Sequence, residues 1–395
     1  IFQSAVDAGR IPGVAAVAYD VSGEVLFSKG YGHRVAGDVT SGPITPQTPL
    51  MLWSCTKLVT CVAALQLVEQ GKLDLYAAAE KYVPGIRAVQ CLRGFEEDGT
   101  PRLAKPERTI TVLNLFTHTA GFGYDFFDQK LMDWRTASKK AAGSSEGVKP
   151  TAMEEYSTPL LFEPGTRWQY GVGVDWLGFI IEAISGLGLA EYIERNVTGP
   201  LGLKTTGRTL TPEQDGEFFT VYAKDPQGTL VPTPMRTVDD PDVVPGGHFL
   251  YSTTEEYAAF LLTLLNHGKH PKSGVRVLQE ETAKRYLFND MLPEVGCSAD
   301  GVGDMLAWTV PRVTLMGSFL PGVSKGWSLA GLVNTEAAPN GRSKNSLMWA
   351  GLGNCYLWVD PTAGKLGFVS AAVLPFMDKD VLHLADALER AVYGN

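Results

Sequence analysis

The chain has few cysteines, no long apolar run and no cluster of basic residues, and each shortage narrows what it can do. Its five cysteines, Cys55, Cys61, Cys91, Cys297 and Cys355, form an odd set with no CxxC or zinc-like spacing, which argues against a disulfide scaffold or a zinc module. Free thiols are the expected state, and with them a cytoplasmic location. No stretch approaches ~18 uninterrupted apolar residues, so no membrane span is expected. A formal net charge of -9 without a Lys/Arg run lacks the basic footprint that a nucleic-acid partner requires. The sequence opens at Ile1 rather than Met, so we expect a trimmed start, which hides any targeting peptide. HExxH, Walker A and GxGxxG strings are missing as well, and neither a metal nor an organic cofactor is expected.

What is present reads as an ordinary folded chain. At 395 residues, with 45% hydrophobic and 19% charged, it exceeds the usual single-core size and should form one large two-part domain or two domains. The opening IFQSAVDAGRIPG reads as a helix end stopped by Pro12 and Gly13, followed by paired strands in VAAVAYD and EVLFSKGYG around Ser22-Gly23. LWSCTKLVTCVAALQLVEQGKLDL carries apolar residues at helical spacing up to Gly71. Helical segments dominate from about Lys81 to Leu210, interrupted by loops at PERTITV, AAGSSEGVKPTA and LFEPGTRWQY. A helix in TTEEYAAFLLTLLNHGK precedes strand-like runs in MLAWTV, SLAGLVN, CYLWVD and KLGFVSAAVLP, and VLHLADALERAVY closes the chain as a helix. Strands at both ends with helices between predict an α/β (α+β) fold: an antiparallel sheet from the N- and C-terminal parts, flanked by helices, with an inserted mainly helical subdomain. The expected division is 1–80 with 246–395 for the sheet part and 81–245 for the helical part.

Chemistry concentrates in three places. Ser54-Cys55-Thr56-Lys57 contains the one serine followed by a lysine three residues on. On a helix those positions share a face, which brings an amine to a hydroxyl as nucleophilic catalysis needs. An ordinary lysine is protonated at neutral pH, so a base here requires burial and suitable neighbours. By itself the tetrad is a weak signal, since a chance match is expected about once in a chain this long. In GTRWQYGVGVDWLGFIIEAISG, Tyr170 stands at a loop-to-helix junction, where a hydroxyl either faces a cleft or simply packs. In SLMWAGLGNCYLWVD, Gly351 and Gly353 interrupt a strand pattern, as a bulge does, or a backbone approached closely by a ligand.

Taken together and in this order, the three resemble the S-x-x-K, Y-x-N and K-T-G elements of the serine β-lactamase, penicillin-binding-protein and esterase superfamily. ITVLNLFTHTAG, EPGTRWQYGVGVDWLG and GGHFLYSTTEEYAAFLLTLL are similar to its class C-like branch. Within it, GFEEDGTPRLAKPERTITVLNLFTHTAGFGYDF and NSLMWAGLGNCYLWVDPTAG resemble the fungal statin acyltransferases and related statin-ester hydrolases, over nearly the whole chain. The resemblance implies a β-lactamase-like fold, Ser54 as nucleophile, Lys57 as its base and Tyr170 as proton shuttle. It also implies an oxyanion hole from the backbone N–H groups of Ser54 and Leu352. Two departures stand out: Val172 replaces the Asn that engages a β-lactam amide, and Trp349 replaces the Lys that favours its carboxylate. Both point toward esters, with an indole wall suited to an apolar group.

Trp349, Ala350, Gly351, Val172, Phe122, Tyr124 and Phe127 are therefore the expected substrate-binding residues, and His118 in THTAG is taken as structural. The expected activity is hydrolysis of a bulky, apolar secondary-metabolite ester, a small-molecule partner. Ala350 and Leu352 differ from the glycine-richer element of the acyltransferase and favour this reading. The alternative is transfer of a short branched acyl group from a thioester donor to a polyketide alcohol, in which case an acyl-carrier protein becomes a possible partner. A non-catalytic binding protein of the same fold is the third reading, against which the retention of Ser54, Lys57 and Tyr170 argues.

Overall fold

The computed structural model describes residues 1–142, 151–237, 244–305, 309–310 and 312–395. Among these, the main sheet holds eight strands, in the order Lys325–Trp327, Leu332–Asn334, Leu347–Gly351, Cys355–Asp360, Lys365–Ser370, Gly13–Asp20, Val25–Val35 and Asp38–Pro43. Every neighbouring pair is antiparallel. The two ends of the chain meet where Ala15–Asp20 pairs with Lys365–Ser370. The run VAAVA lies in this centre and is buried on both faces, which is why it lacks polar alternation. Val25–Val35, nearer the edge, is largely half-exposed and accommodates Ser28, Lys29, His33 and Arg34.

Helices cover the sheet and build the lobe beside it. In Thr254–Leu265, the Tyr257 ring lies 4.8 Å from that of Phe368 on the sheet, and its hydroxyl donates to the Cys55 carbonyl at 2.8 Å. The closing helix Lys379–Tyr393 starts on Asp378, whose carboxylate accepts from the Asp380 and Val381 N–H groups. Helix Thr56–Glu69 is buried from Thr56 to Leu67 and packs against Gly173–Ser185. Its apolar composition on all sides marks a core helix rather than a surface one. It ends two residues before Gly71, which takes the left-handed conformation at φ 68° as helix stops often do. The five cysteines are free and buried. No single helix among the described residues is long and apolar enough to cross a membrane.

The middle of the chain is helical at Val112–Phe116, Gln129–Ala142, Ala152–Tyr156, Gly173–Ser185 and Leu189–Ile193. It also contains a hairpin, Cys91–Phe95 with Pro101–Ala104, which the helical expectation passed over. Its signal was Asp98-Gly99, with Gly99 at φ 83°. In the C-terminal part, the helix Glu280–Leu287 after Thr254–Leu265 was likewise not anticipated. SLAGLVN forms a strand only at Leu332–Asn334, because Ser328 Oγ captures the Ala330 and Gly331 N–H groups and turns the chain there. Of MLAWTV, Met305 ends the short strand Asp304–Met305, while 306–308 lie outside the described residues. Most of the loop AAGSSEGVKPTA, at 143–150, lies outside them too.

Candidate active site

Ser54 occupies a single 3-10 turn, Trp53–Cys55, that feeds directly into helix Thr56–Glu69. Trp53 has φ 51°, a left-handed conformation that costs a non-glycine residue roughly 1–2 kcal/mol. Surrounding hydrogen bonds hold it there. Leu52 N–H donates to the Leu250 carbonyl at 2.9 Å, and Leu250 N–H donates to Thr56 Oγ1 at 3.3 Å. The Tyr257 bond to the Cys55 carbonyl pins the other side of the turn. Strain at this point lifts Ser54 out of the otherwise buried segment, and its side chain is half-exposed.

Lys57 stands one helical turn on and is only 2% exposed. Its Nζ donates to Ser54 Oγ at 3.3 Å, to the Tyr124 hydroxyl at 3.0 Å and to the Gly247 carbonyl at 3.1 Å. It also lies over the Tyr170 ring, 4.9 Å from the centroid. The Tyr170 hydroxyl itself is buried and has no hydrogen-bond partner of good geometry, although it lies close enough to help hold the Tyr124 phenol in its neutral form. Burial is the main reason the Tyr124 hydroxyl is pushed well above its ordinary range, followed by the charge of Asp175.

Glycines bring these groups together. A Cβ on Gly171 would sit 2.5 Å from the Phe122 carbonyl carbon and 2.6 Å from the Gly123 nitrogen, so only glycine lets that loop pass. The close passage sets the Tyr124 ring 5.3 Å from that of Tyr170, tilted by 50°. A Cβ on Gly351 would sit 2.7 Å from the Leu52 carbonyl oxygen, and one on Gly353 would overlap the Trp53 indole. The strand-end Gly351 and the turn Gly353 thus serve a close approach, and what they approach is the turn carrying Ser54. Leu352, between them, faces the same cavity as Ser54.

That cavity, of about 170 Å³, has Ser54 and Trp53 on its floor, with walls of Tyr124, Phe126, Phe127, Tyr170, Trp349 and Ala350. His248, Met305, Leu352 and Phe376 complete it, and no Lys or Arg is among these lining residues. A second pocket shares Phe127, Tyr170 and Met305 with it and adds the polar side chains of Asp128, Gln169 and Asp304. Among the described residues no three His, Cys, Asp or Glu side chains converge as a metal site would need.

Three expected substrate residues lie elsewhere. Phe122 is buried and stacks on Trp176 at 6.0 Å, because the tight passage at Gly171 turns it into the core. Val172 is buried at the helix N-terminus, where its carbonyl accepts from the Asp175 N–H at 3.1 Å. Gly351 approaches the Ser54 turn instead of lining the cavity. Trp53, Phe126, His248, Met305 and Phe376 line it without having been singled out. Phe126 lies between the expected Tyr124 and Phe127, whereas His248 and Phe376 arrive from remote segments with no local signal. His118 is 3% exposed, accepts from the Gly171 N–H at 3.4 Å and packs 4.9 Å from the Tyr170 ring. Burial, and then the charge of Lys57, push it well below the usual histidine range, so it is neutral.

With the geometry fixed, comparison with known proteins places the chain. The model of a family described as Beta-lactamase matches residues 1–389. The chain belongs to the Beta-lactamase family. Among its relatives in that family is the lovastatin esterase of Penicillium rubens, 31% identical over 96% of this chain and 94% of that protein. The monacolin J acid methylbutanoyltransferase of Aspergillus terreus is 27% identical, over 100% of this chain and 94% of that one. Among solved structures, unliganded simvastatin synthase (LovD) from Aspergillus terreus matches with a TM-score of 0.81 and 26% identity, covering 100% of this chain and 96% of that one. These Beta-lactamase-family relatives are therefore named both for ester hydrolysis and for acyl transfer.

Proposed function

We propose that the chain is a serine carboxylic-ester hydrolase that forms an acyl-Ser54 intermediate on a bulky, apolar ester of the statin type named in its relatives. The observation that carries this reading is the 3.3 Å contact of Ser54 Oγ with the buried amine of Lys57, at the floor of an apolar cavity. In the first step Ser54 Oγ bonds to the ester carbonyl carbon, and its proton passes to the lone pair of Lys57 Nζ. The carbonyl electrons move onto oxygen, facing the N–H groups of Ser54 and Leu352. Collapse re-forms the carbonyl and breaks the bond to the alkoxy oxygen, which takes a proton from the Tyr170 hydroxyl. Tyr170 is restored by the proton held on Lys57. Water then attacks the acyl-serine through the same steps in reverse and releases the acid. In this arrangement the sheet part, 1–80 with 246–395, supplies Ser54, Lys57 and the Trp349 wall, and the helical part, 81–245, supplies Tyr124, Phe127 and Tyr170.

An unpartnered buried hydroxyl usually costs about 1–3 kcal/mol, so the lone Tyr170 hydroxyl fits a group held ready for a substrate oxygen. Tyr170→Phe is expected to lower kcat by ~100-fold while raising thermal stability by roughly 1 kcal/mol. Tyr124→Phe removes an existing hydrogen bond to Lys57 and is expected to lower both. Steady-state rates and Tm of the two variants check this, and a Tyr170→Phe enzyme with unchanged kcat returns Tyr170 to a packing role.

Acyl transfer is the second reading, and the observation favouring it is the methylbutanoyltransferase relative, which this chain matches over its full length. Both fates share one acyl-enzyme. Incubating the protein with a lovastatin-like ester, and separately with a thioester donor plus the free alcohol, measures the partition as free acid against new ester. Predominant new ester at millimolar alcohol would decide for transfer.

β-Lactams should be poor substrates. Trp349 and its neighbours offer apolar contacts and no cation for a carboxylate, and residue 172 is turned into the core. Nitrocefin turnover is expected at least ~100-fold below that of p-nitrophenyl butyrate, the scale set by leaving a substrate's charged group unpaired. Comparable rates would overturn the ester assignment.

A further inference from the structure

Lys57 is a buried amine whose three hydrogen bonds all go to uncharged oxygens, those of Ser54, Tyr124 and Gly247. Among the described residues no carboxylate lies within ion-pair distance of it. Burying an ammonium without a compensating charge is expensive, so the structure should supply one nearby. A single peptide group separates Lys57 from such a charge. The Gly247 carbonyl accepts from Lys57 Nζ at 3.1 Å, while the Gly247 N–H donates to Asp175 Oδ1 at 2.9 Å. Asp175 is 1% exposed and its other carboxylate oxygen has no hydrogen-bond partner. A Cβ on Gly247 would lie 2.7 Å from Lys57 Nζ and 3.0 Å from that unpartnered oxygen, so the missing side chain is what leaves amine and carboxylate facing across a gap.

We propose that Asp175 is the counterion of Lys57, coupled to it through the Gly247 peptide, and that it sets the pH range in which Ser54 is activated. It is a positioning residue, acting on Ser54 through Lys57, and the inference rests on the reading of Lys57 as the partner of Ser54.

The other titratable groups facing the pair carry no charge near neutrality. His248, 4.0 Å from Asp175, is pushed down to about 3 by burial and then by the Lys57 charge. Tyr124 and Tyr156 are both pushed up, first by burial and then by Asp175. Cys55 and Cys61 beside Lys57 are raised by burial and stay as thiols. Burial raises Asp175 to about 6, with the Lys57 charge opposing the rise. The carboxylate is therefore ionised above that pH and favours the ammonium form of Lys57. As pH falls through about 6 it takes a proton and the pair loses its attraction. Position near the start of helix Gly173–Ser185 also favours the anion, but a dipole role alone predicts no link to Lys57.

Asp175→Asn keeps an oxygen for the Gly247 N–H and removes the charge, so it separates the two roles. The measurement is kcat/KM for p-nitrophenyl butyrate from pH 5 to 9, with Tm at both ends. The acid limb is expected to move to lower pH by at least about one unit, because an opposite charge at such range typically shifts titration by 1–3 units. The difference in Tm from wild type should itself change across about pH 6, as the buried charge that the substitution removes exists only above it. An unchanged pH profile in a folded Asp175→Asn protein would sink the inference. If that variant does not fold, carbon-13 titration of the Asp175 carboxyl in the wild type and in Lys57→Met decides: an upward move on losing Lys57 supports the coupling, and an unmoved titration overturns it. Ser54→Ala separates this failure from that of the proposed function, since a dead Ser54→Ala enzyme beside a normal Asp175→Asn profile leaves the hydrolase standing.

Discussion

Ser54→Ala is expected to abolish acyl-enzyme formation and to lower ester turnover by ~10⁴-fold or more, the scale on which losing a catalytic nucleophile acts. Ser54 lies in the 3-10 turn that precedes the helix, and the helix has no side-chain cap hydrogen bond there, so the substitution removes no cap. Tm should therefore stay close to wild type. The experiment pairs intact-protein mass spectrometry after fluorophosphonate treatment with circular dichroism. Wild type should gain one adduct mass on Ser54 and the variant none, with identical spectra. A variant that still hydrolyses p-nitrophenyl esters at the wild-type rate ends the nucleophile assignment, and an unlabelled wild type favours a non-catalytic binding protein of the same fold.

Lys57→Ala should follow closely, with kcat down by at least ~100-fold, the usual effect of losing a positioned proton-transfer group. Its structural consequences differ from those at Ser54. Removing the amine leaves the Tyr124 hydroxyl and the Gly247 carbonyl without their donor, and leaves Asp175 without its opposing charge. Asp175 should then titrate above about 6, so the variant loses stability relative to wild type as pH rises into the alkaline range. Rates and Tm at pH 6 and pH 9 test both parts. A Lys57→Ala enzyme with full kcat would leave Ser54 in need of a different base, and His248, which lines the same cavity, would be the first to examine.

The aromatic walls show how far local reading reaches. Trp349 was legible because it stands where the resemblance places the lysine of the K-T-G element, and it does border the cavity. Phe122, Tyr124, Phe126 and Phe127 belong to one loop, and the sequence has no means of dividing them. The division comes from Gly171, a residue of another segment, whose close passage sends Phe122 into the core and leaves the later three toward the cleft. The same contact brings the Tyr124 hydroxyl to Lys57, a partnership that nothing within residues 121–127 announces.

By itself the sequence marked most of the elements and the spacing of the chemistry. Period-2 and unbroken apolar runs mark strands, the spacing of Ser54 and Lys57 sets an amine one turn from a hydroxyl, and the glycines at 351 and 353 mark a bulge or a close approach, because all of these are properties of neighbours along the chain. Only the tertiary structure decided what stands around them. Gly247 and Asp175 come within reach of Lys57 from positions far along the chain, and the Tyr170 hydroxyl is left unpaired by the packing of loops that share no periodicity. Burial is the physical reason: the charge state of Asp175 and the neutrality of His118 and His248 depend on how completely water is excluded, and that is fixed by the whole fold rather than by any residue's neighbours in sequence.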